Sequence, residues 1–384
     1  MTGLSGCANF AHVVARPLSK WDEVGRRIAD ARSTAKLTQA ELARAVGIDR
    51  TAIAKAEGGK RGLNALELAQ VAVALRRPIE WFLSESPPSV ISRRADRHDV
   101  HDAMDSSVDS FARDVELLVE IDALHSVPSP PAAVPETLDA AEALAADVRK
   151  RLECPEGPIL NLAAMTERLG LYVTSEELGP DTADGAYVAL EAAGATVING
   201  SQDAGRRRFT LSHELGHHIV ADEYSTDWHL ESSHDDRERL MNAFAVHLLM
   251  PRQSVLRDWS SLSGDDEPRT AAIQLAVMYR VSWSAACAHL RNIDAIDGAG
   301  AAALIAAPPT RADLLELGLF VVEELAPPTV SPEFAKAVLR AYRGGKLAST
   351  RVVELLRGTV SREELPNVDT VPIDALRGDV QEWT

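Results

Sequence analysis

The segment RRRFTLSHELGHHIVAD holds two histidines four residues apart, His213 and His217, with Glu214 directly after the first. On an α-helix, residues i and i+4 lie on one face about one turn apart, so both imidazoles can reach one cation. Apolar residues recur through the segment at helical spacing, which predicts a packed helix near 206–222. The alternative is a surface helix with two solvated histidines, and the apolar stripe argues against it.

Glu214 lies about 100° round such a helix from His213, because an α-helix has 3.6 residues per turn. It can therefore act as a base beside the cation without being a third ligand, as a zinc hydrolase requires. Glu238, on a second predicted helix at 235–250, is the preferred third ligand, and Asn242 one turn later is expected to orient a ligating histidine. Four competing third ligands lie in the same region: His229, His234, Asp235 and Asp236.

Residues 155–255 contain R-R-R-F-T-L-S-H-E-L-G-H-H and then E-R-L-M-N-A-F-A-V-H-L-L-M-P, and they resemble the ImmA/IrrE family of metallopeptidases. The resemblance implies that the two motif histidines and Glu238 bind Zn²⁺ and that Glu214 is the general base. It also implies cleavage of a protein target, such as a repressor, in response to a signal. Met241 departs from the pattern, since the family usually has alanine beside the asparagine.

The residues around the motif also carry expectations. Arg206–Arg208 are expected to form a solvated helix start or to hold an acidic side chain of a substrate. A substrate strand is expected to add along an edge strand, for which 194–199 is the candidate. For Tyr187 and Asn199, on the strands before the motif, a structural role is favoured over a place in the cleft.

The stretch from Trp21 to Leu83 has a closely punctuated helical pattern. Thr38, followed three residues later by Glu41, is a capping box that opens a second helix. Gly47 permits a sharp turn, and Asn64 is the expected N-cap of a fourth helix. The pattern predicts four helices and a last turn that starts at Pro78.

Residues 37–61, LTQAELARAVGIDRTAIAKAEGGKR, resemble the Xre/lambda-repressor helix-turn-helix family. Burial of Ile48 and Ile53 leaves the outer face of the third helix exposed, where a recognition helix reads the major groove of an operator. A helical bundle used only for dimerisation is the alternative. The expected DNA contacts are Arg50, Thr51 and Lys55 on that helix, with Gln39, Lys60 and Arg61 on phosphates.

Charge and cysteine content limit the partners and the compartment. Residues 20–83 hold twelve Lys/Arg against eight Asp/Glu, whereas the whole chain has a net charge of −17. This charge distribution assigns DNA contacts to the N-terminal head. The excess of positive charge in the head is small, which favours a homodimer. The three cysteines are isolated, which argues against cysteine-ligated zinc and favours a reducing cytoplasm. No apolar run has the 18 or more residues that a membrane span needs.

The predicted fold is multidomain and mainly α with an α+β part. An all-α helix-turn-helix head precedes a zincin-like α+β domain with a small sheet and the H-E-x-x-H helix, and a helical C-terminal region follows. Pro/Ser-rich breaks near 86–98 and 127–135 set the predicted boundaries. The predicted parts are a disordered leader (1–19), the head (20–85), a linker with an amphipathic helix (86–135), the peptidase domain (136–260) and the C-terminal region (261–384).

Two functional hypotheses follow. In the first, the chain is a DNA-binding transcriptional regulator whose zinc metallopeptidase domain cleaves a repressor, a partner or the chain itself, in a stress, phage or toxin–antitoxin response. In the second, it is a non-enzymatic transcription factor or antitoxin whose metal domain senses a signal or binds a partner such as a toxin. The segment AYRGGKLASTRVVELL, interpreted as a small adaptor, favours a protein partner. Glu214 and the full ligand set favour the first hypothesis, because a purely structural site does not need a base.

Overall fold

The computed structural model divides the chain into two compact units. The first comprises residues 1–87 and 98–106, and the second comprises residues 88–97 and 107–384. Every helix in the described ranges is too short or too polar to cross a membrane. The predicted leader, 1–19, lies outside those ranges. The structure describes residues 21–35, 37–75, 79–83, 91–93, 103–124, 131–221 and 231–368.

The first unit contains the predicted bundle of short helices. Its helices are α1 (Trp21–Thr34), α2 (Gln39–Val46), α3 (Arg50–Glu57), α4 (Ala65–Ala74) and α5 (Ile79–Leu83). The capping box of Thr38 and Glu41 is confirmed, and Asn64 forms a second one with Glu67. Gly47 ends α2 at φ 74°, the left-handed conformation that glycine adopts without steric cost. The core of the bundle includes Val24, Ile28, Leu42, Ile53, Leu68 and Val71.

The second unit is mainly helical. Its helices are α6 (Ala103–Glu120, of which residues from Ser107 onward belong to this unit), α7 (Leu138–Arg151), α8 (Leu162–Glu167), α9 (Ala204–Val220), α10 (Glu231–Leu249), α11 (Arg252–Asp265), α12 (Pro268–Tyr279), α13 (Trp283–Asn292), α14 (Gly298–Ala306), α15 (Arg311–Glu316), α16 (Pro332–Arg343) and α17 (Ser349–Leu355). The predicted helix at 206–222 is α9, and the one at 235–250 is α10. Helix α11 was not predicted from the sequence.

A five-stranded mixed sheet completes this unit. Its strands are β1 (Ile91–Arg93), β2 (Leu171–Glu176), β3 (Gly185–Ala189), β4 (Gly194–Asn199) and β5 (Thr329–Val330), in the order β1-β3-β4-β2-β5. Strands β2 and β4 are parallel, and the other pairs are antiparallel. The prediction that 194–199 is an edge strand is wrong. Strand β4 is central, because β3 and β2 use its main-chain hydrogen-bonding groups on both sides.

One continuous core joins the sheet to the helices. Helix α9 packs on one side against β3 and β4 and on the other against α10, which also packs on α7. Helices α12 and α13 share this core, since Leu275, Tyr279 and Leu290 belong to the same buried cluster as Leu215. Helix α9, which carries the H-E-x-x-H motif, is therefore fixed from several directions.

Candidate metal centre

Helix α9 carries the motif in a fully packed environment. Asp203 caps it, because Oδ1 accepts a hydrogen bond from the backbone N–H of Arg206 at 2.9 Å. The helix ends at Ala221, which has a φ of 45°. The side chains of His213, Glu214 and His217 all belong to residues that are at most 1% exposed. The alternative of two solvated histidines on a surface helix is thereby excluded.

Three side chains converge on one point in this packed region. The Nε2 atoms of His213 and His217 lie 3.1 Å apart. The Glu238 carboxylate brings Oε2 to 3.3 Å from the first nitrogen and Oε1 to 3.5 Å from the second. Tetrahedral zinc with ligands at ~2.0–2.1 Å separates its ligand atoms by ~3.3–3.4 Å. The three residues therefore fit a zinc ion, and the described side chains contain no other group of three such ligands.

The close crossing of α9 and α10 depends on Gly216, at the centre of the motif. A Cβ atom on Gly216 would lie 2.9 Å from Cδ1 of Phe244 and 3.1 Å from Sδ of Met241. Only glycine lets α10 approach this closely, and the approach brings Glu238 to the histidines. Met241 is fully buried at this crossing. Met241, the residue that departs from the family pattern, therefore packs where α9 and α10 cross.

Some of the other predicted ligands and positioning residues can be located. Asp236 is exposed and is not part of the convergent group. The side chains of His229, His234 and Asp235 lie outside the described residues. Asn242 lies on α10 one turn after Glu238, but its buried Oδ1 has no hydrogen-bond partner among the described residues, and neither has Nδ1 of His213. The predicted hydrogen bond from Asn242 to a ligating histidine is therefore not observed.

The expectation for the arginines at the start of α9 is wrong for two of the three. Arg206 is half exposed and pairs with Asp184. Arg207 and Arg208 are buried, and they pair with Glu323 and Glu324 respectively. Burial lowers the pKa of Arg208, and the Glu324 carboxylate opposes this effect. Each glutamate lies 116 positions after its arginine in the chain, so the sequence around α9 could not predict these ion pairs.

Tyr187 and Asn199 have structural contacts. The Tyr187 hydroxyl lies 3.1 Å from Nδ1 of His218, whose Nε2 lies 2.9 Å from the carbonyl oxygen of Leu169. Burial lowers the pKa of His218, so this ring is neutral and donates from Nε2 to that carbonyl. Asn199 donates from Nδ2 to the carbonyl of Gly179 at 2.8 Å. These contacts agree with the structural role that the sequence favoured for both residues.

The outer face of α3 is free of core contacts. The three residues expected to read bases, Arg50, Thr51 and Lys55, are all exposed, and so is Lys60. The other two expected phosphate contacts have partners inside the head. Gln39 donates to Glu57 at 2.8 Å, and Arg61 pairs with Glu67 at 2.7 Å. Each of these side chains keeps further N–H donors, so a phosphate contact is compatible with its carboxylate partner.

The fold and the site together define a helix-turn-helix head joined to a metallopeptidase-like unit. Residues 25–85 match the family model of a helix-turn-helix domain. Residues 166–291 match the model of the IrrE N-terminal-like domain, peptidase family M78. The chain therefore combines these two domains, as both resemblances in the sequence implied.

Two solved structures show weak similarity. A Mycobacterium tuberculosis transcriptional regulator is 19% identical over 47% of this chain and 51% of its own, with a TM-score of 0.28. Bacillus thuringiensis PlcR, in complex with the peptide PapR7 and DNA, is 8% identical over 94% of this chain and 98% of its own, with a TM-score of 0.17. This chain thus spans about half the length of the M. tuberculosis regulator, and neither TM-score supports an argument. No curated protein matches the chain.

Proposed function

We propose that the chain is a DNA-binding transcriptional regulator whose IrrE-like unit is a zinc-dependent endopeptidase. The observation that carries this proposal is the convergence of His213, His217 and Glu238, with donor atoms 3.1–3.5 Å apart, beside the buried Glu214. Two neutral imidazoles and one carboxylate leave a divalent ion a net positive charge. Three protein ligands also leave a fourth position open, as catalytic zinc sites require.

Each residue has a distinct role in the proposed hydrolysis. The zinc ion, when bound, supplies Lewis-acid activation of water and of the scissile carbonyl. The two histidines and Glu238 hold it. Glu214 accepts a proton from the attacking water and passes it to the leaving amine, so a peptide bond becomes a carboxylate and an amine. Glu214 suits this task because it neighbours His213 on α9 but is not one of the convergent ligands.

The head supplies the regulatory part of the proposal. Arg50, Thr51 and Lys55 read operator bases from the exposed face of α3, and Lys60 contacts phosphate. A homodimer would supply the affinity that a weakly basic head lacks. The target of the peptidase is a protein in the same cytoplasm, namely a repressor, a partner or the chain itself, as the family resemblance implies.

The second hypothesis, a non-enzymatic sensor or antitoxin, is favoured by one surface feature. The consecutive residues Phe320, Val321 and Val322 are 74%, 56% and 45% exposed, which is unusual for large apolar side chains, and Leu315 nearby in the sequence is 62% exposed. The segment interpreted from the sequence as an adaptor does not contribute to this surface. It includes the end of α16 and the whole of α17, where Ala341 and Val352 are buried. The second hypothesis has no need of Glu214.

Metal content tests the ligand set. Purified wild-type protein is expected to hold about one zinc ion per chain, and His213→Ala is expected to lose most of it. His247→Ala is the matched control, because His247 is a histidine of α10 outside the convergent group. Metal analysis by mass spectrometry, with circular dichroism as a check of folding, gives the comparison. Full zinc occupancy in a folded His213→Ala variant would refute the ligand assignment.

A further inference from the structure

The outer edge of β3 is covered by the chain's own linker. Strand β1 pairs with β3 in antiparallel fashion, in the register Ile91 to Val188, Ser92 to Tyr187 and Arg93 to Ala186. Strand β1 is three residues long and comes from the segment that the sequence marks as a linker. Without it, β3 would be the edge strand on this side of the sheet.

Strand β3 runs along the face of α9 that carries the proposed base. A Cβ atom on Gly185 would lie 2.5 Å from Cγ2 of Thr210, and the Tyr187 hydroxyl contacts His218. Residues 210, 214 and 218 follow each other at intervals of four and so share one face of the helix. Glu214 is therefore on the side of α9 that faces β3, between the two contacts. The other covered edge, that of β2, is two strands away.

An extended peptide can be held next to this site by main-chain hydrogen bonds to an unpaired edge strand. In the structure β1 uses that edge. We propose that residues 91–93 are an intramolecular competitor for the peptide substrate, so the substrate edge is closed until the linker strand leaves β3. This inference rests on the proposed peptidase function. The substrate class is an extended segment of protein chain that pairs with β3 in the direction that β1 takes.

The length and tether of β1 suit a displaceable competitor. Three residues form few main-chain hydrogen bonds, so the strand is weakly held. The covalent tether offsets this weakness, because pairing within one chain does not depend on the concentration of a free peptide. A weak substrate segment is thus excluded, whereas a long segment, which pairs with all of β3, can replace the linker strand. Strand β1 therefore restricts cleavage to segments that pair with β3 more strongly than it does.

Proline and alanine variants of the full-length chain test the inference. The triple variant Ile91→Pro, Ser92→Pro, Arg93→Pro removes every backbone N–H of β1, so it cannot pair. The triple alanine variant at the same positions is the matched control, because it removes the side chains and keeps the backbone donors. The probe is a fluorescein-labelled synthetic peptide of residues 88–97, PSVISRRADR, added to the zinc-loaded protein and followed by fluorescence anisotropy.

The proline variant is expected to bind the peptide at least ~10-fold more tightly than the wild type and the alanine variant, since it lacks a tethered competitor. Its amides at 185–189 are expected to exchange hydrogen faster without peptide and to regain protection with it. Equal binding by all three proteins, or no binding by the proline variant, would overturn the inference. If the peptide binds only to the proline variant but no variant cleaves any peptide, the docking inference stands and the proposed peptidase function fails.

Discussion

A single carboxylate, that of Glu238, turns two neighbouring histidines into a candidate site with three ligands. A pair of histidines at i and i+4 can bind several divalent ions, and a carboxylate as the third ligand gives a set that fits the tetrahedral zinc of the proposed function. Glu238 is 21 residues from His217 in sequence and 3.5 Å from it in space. The choice between Glu238 and its competitors therefore depended on how two helices cross, which the sequence alone left open.

We expect a buried histidine outside the candidate metal centre to make stability depend on pH. His289 is 1% exposed, its Nε2 lies 2.8 Å from the carbonyl oxygen of Met250, and its ring stacks edge-on with His247. Burial lowers the pKa of His289 to about 4, and the charged forms of His247 and Arg252 act in the same direction while Glu142 opposes them. The neutral ring is therefore favoured in the folded protein.

The sign of the effect follows from this lowered pKa. As the pH falls from about 6.5 to about 4, the unfolded chain takes up the His289 proton first, so the free energy of unfolding decreases. Over this pH interval, we expect the free energy of unfolding to fall by about 3 kcal/mol more in the wild type than in the variant His289→Gln. The glutamine keeps a hydrogen-bond donor to the carbonyl of Met250. Urea unfolding of both proteins, kept metal-free with a chelator, measures their free energies of unfolding at each pH. Equal decreases in the free energy of unfolding of the two proteins would contradict the lowered pKa assigned to His289.

At the scale of helices, the crossing of α9 and α10 determines whether Glu238 reaches the histidines. Gly216→Ala would place a methyl group against Phe244 and Met241. We expect a loss of ~1–3 kcal/mol in the free energy of unfolding from overpacking, and a weaker zinc affinity because α10 must move away. Gly264→Ala, in open space on α11, is the matched control. Unchanged zinc affinity in a folded Gly216→Ala protein would contradict this role.

The recognition helix gives a second prediction at this scale. Arg50, at the start of the exposed face of α3, is expected to contact bases, and Lys60, after α3, is expected to contact phosphate. Arg50→Ala should weaken binding to a selected operator by ~1–3 kcal/mol and relax specificity, whereas Lys60→Ala should weaken all DNA binding evenly. Fluorescence anisotropy with specific and random duplexes at several salt concentrations separates the two effects. An even loss from both variants would mean that α3 does not read bases.

Helices with capping residues were predictable, and contacts between distant segments were not. The predictions based on Thr38 and Asn64 agree with the observed helix limits, because a cap acts through its immediate neighbours. Strands β1 and β5 were missed, since three and two residues are too few for a period of two to be recognised. The burial of Arg208 was also missed, because it depends on Glu324 from the other end of the unit.

At the scale of the whole molecule, residues from both sides of the predicted peptidase segment complete the second unit. From the C-terminal side, β5 extends the sheet and Glu323 and Glu324 hold the start of α9. From the N-terminal side, Asp114 of α6 pairs with Arg351 and Arg357. The linker contributes both α6 and β1. The candidate metal centre is thus part of a unit that includes α6 and β1 of the linker and the C-terminal helices.

The central claim is that this unit is a metallopeptidase with Glu214 as its base. The direct test compares the zinc-loaded full-length chain with Glu214→Gln, each with and without the proline substitutions in β1. Each protein is incubated with a library of unstructured peptides, and mass spectrometry counts new N-termini. Glutamine keeps the size of the side chain but cannot accept the proton at neutral pH. We predict an unchanged zinc content and operator affinity, with cleavage lower by a factor of ~100 or more. Equal cleavage with and without Glu214, or no cleavage by any of the four proteins, would contradict the account.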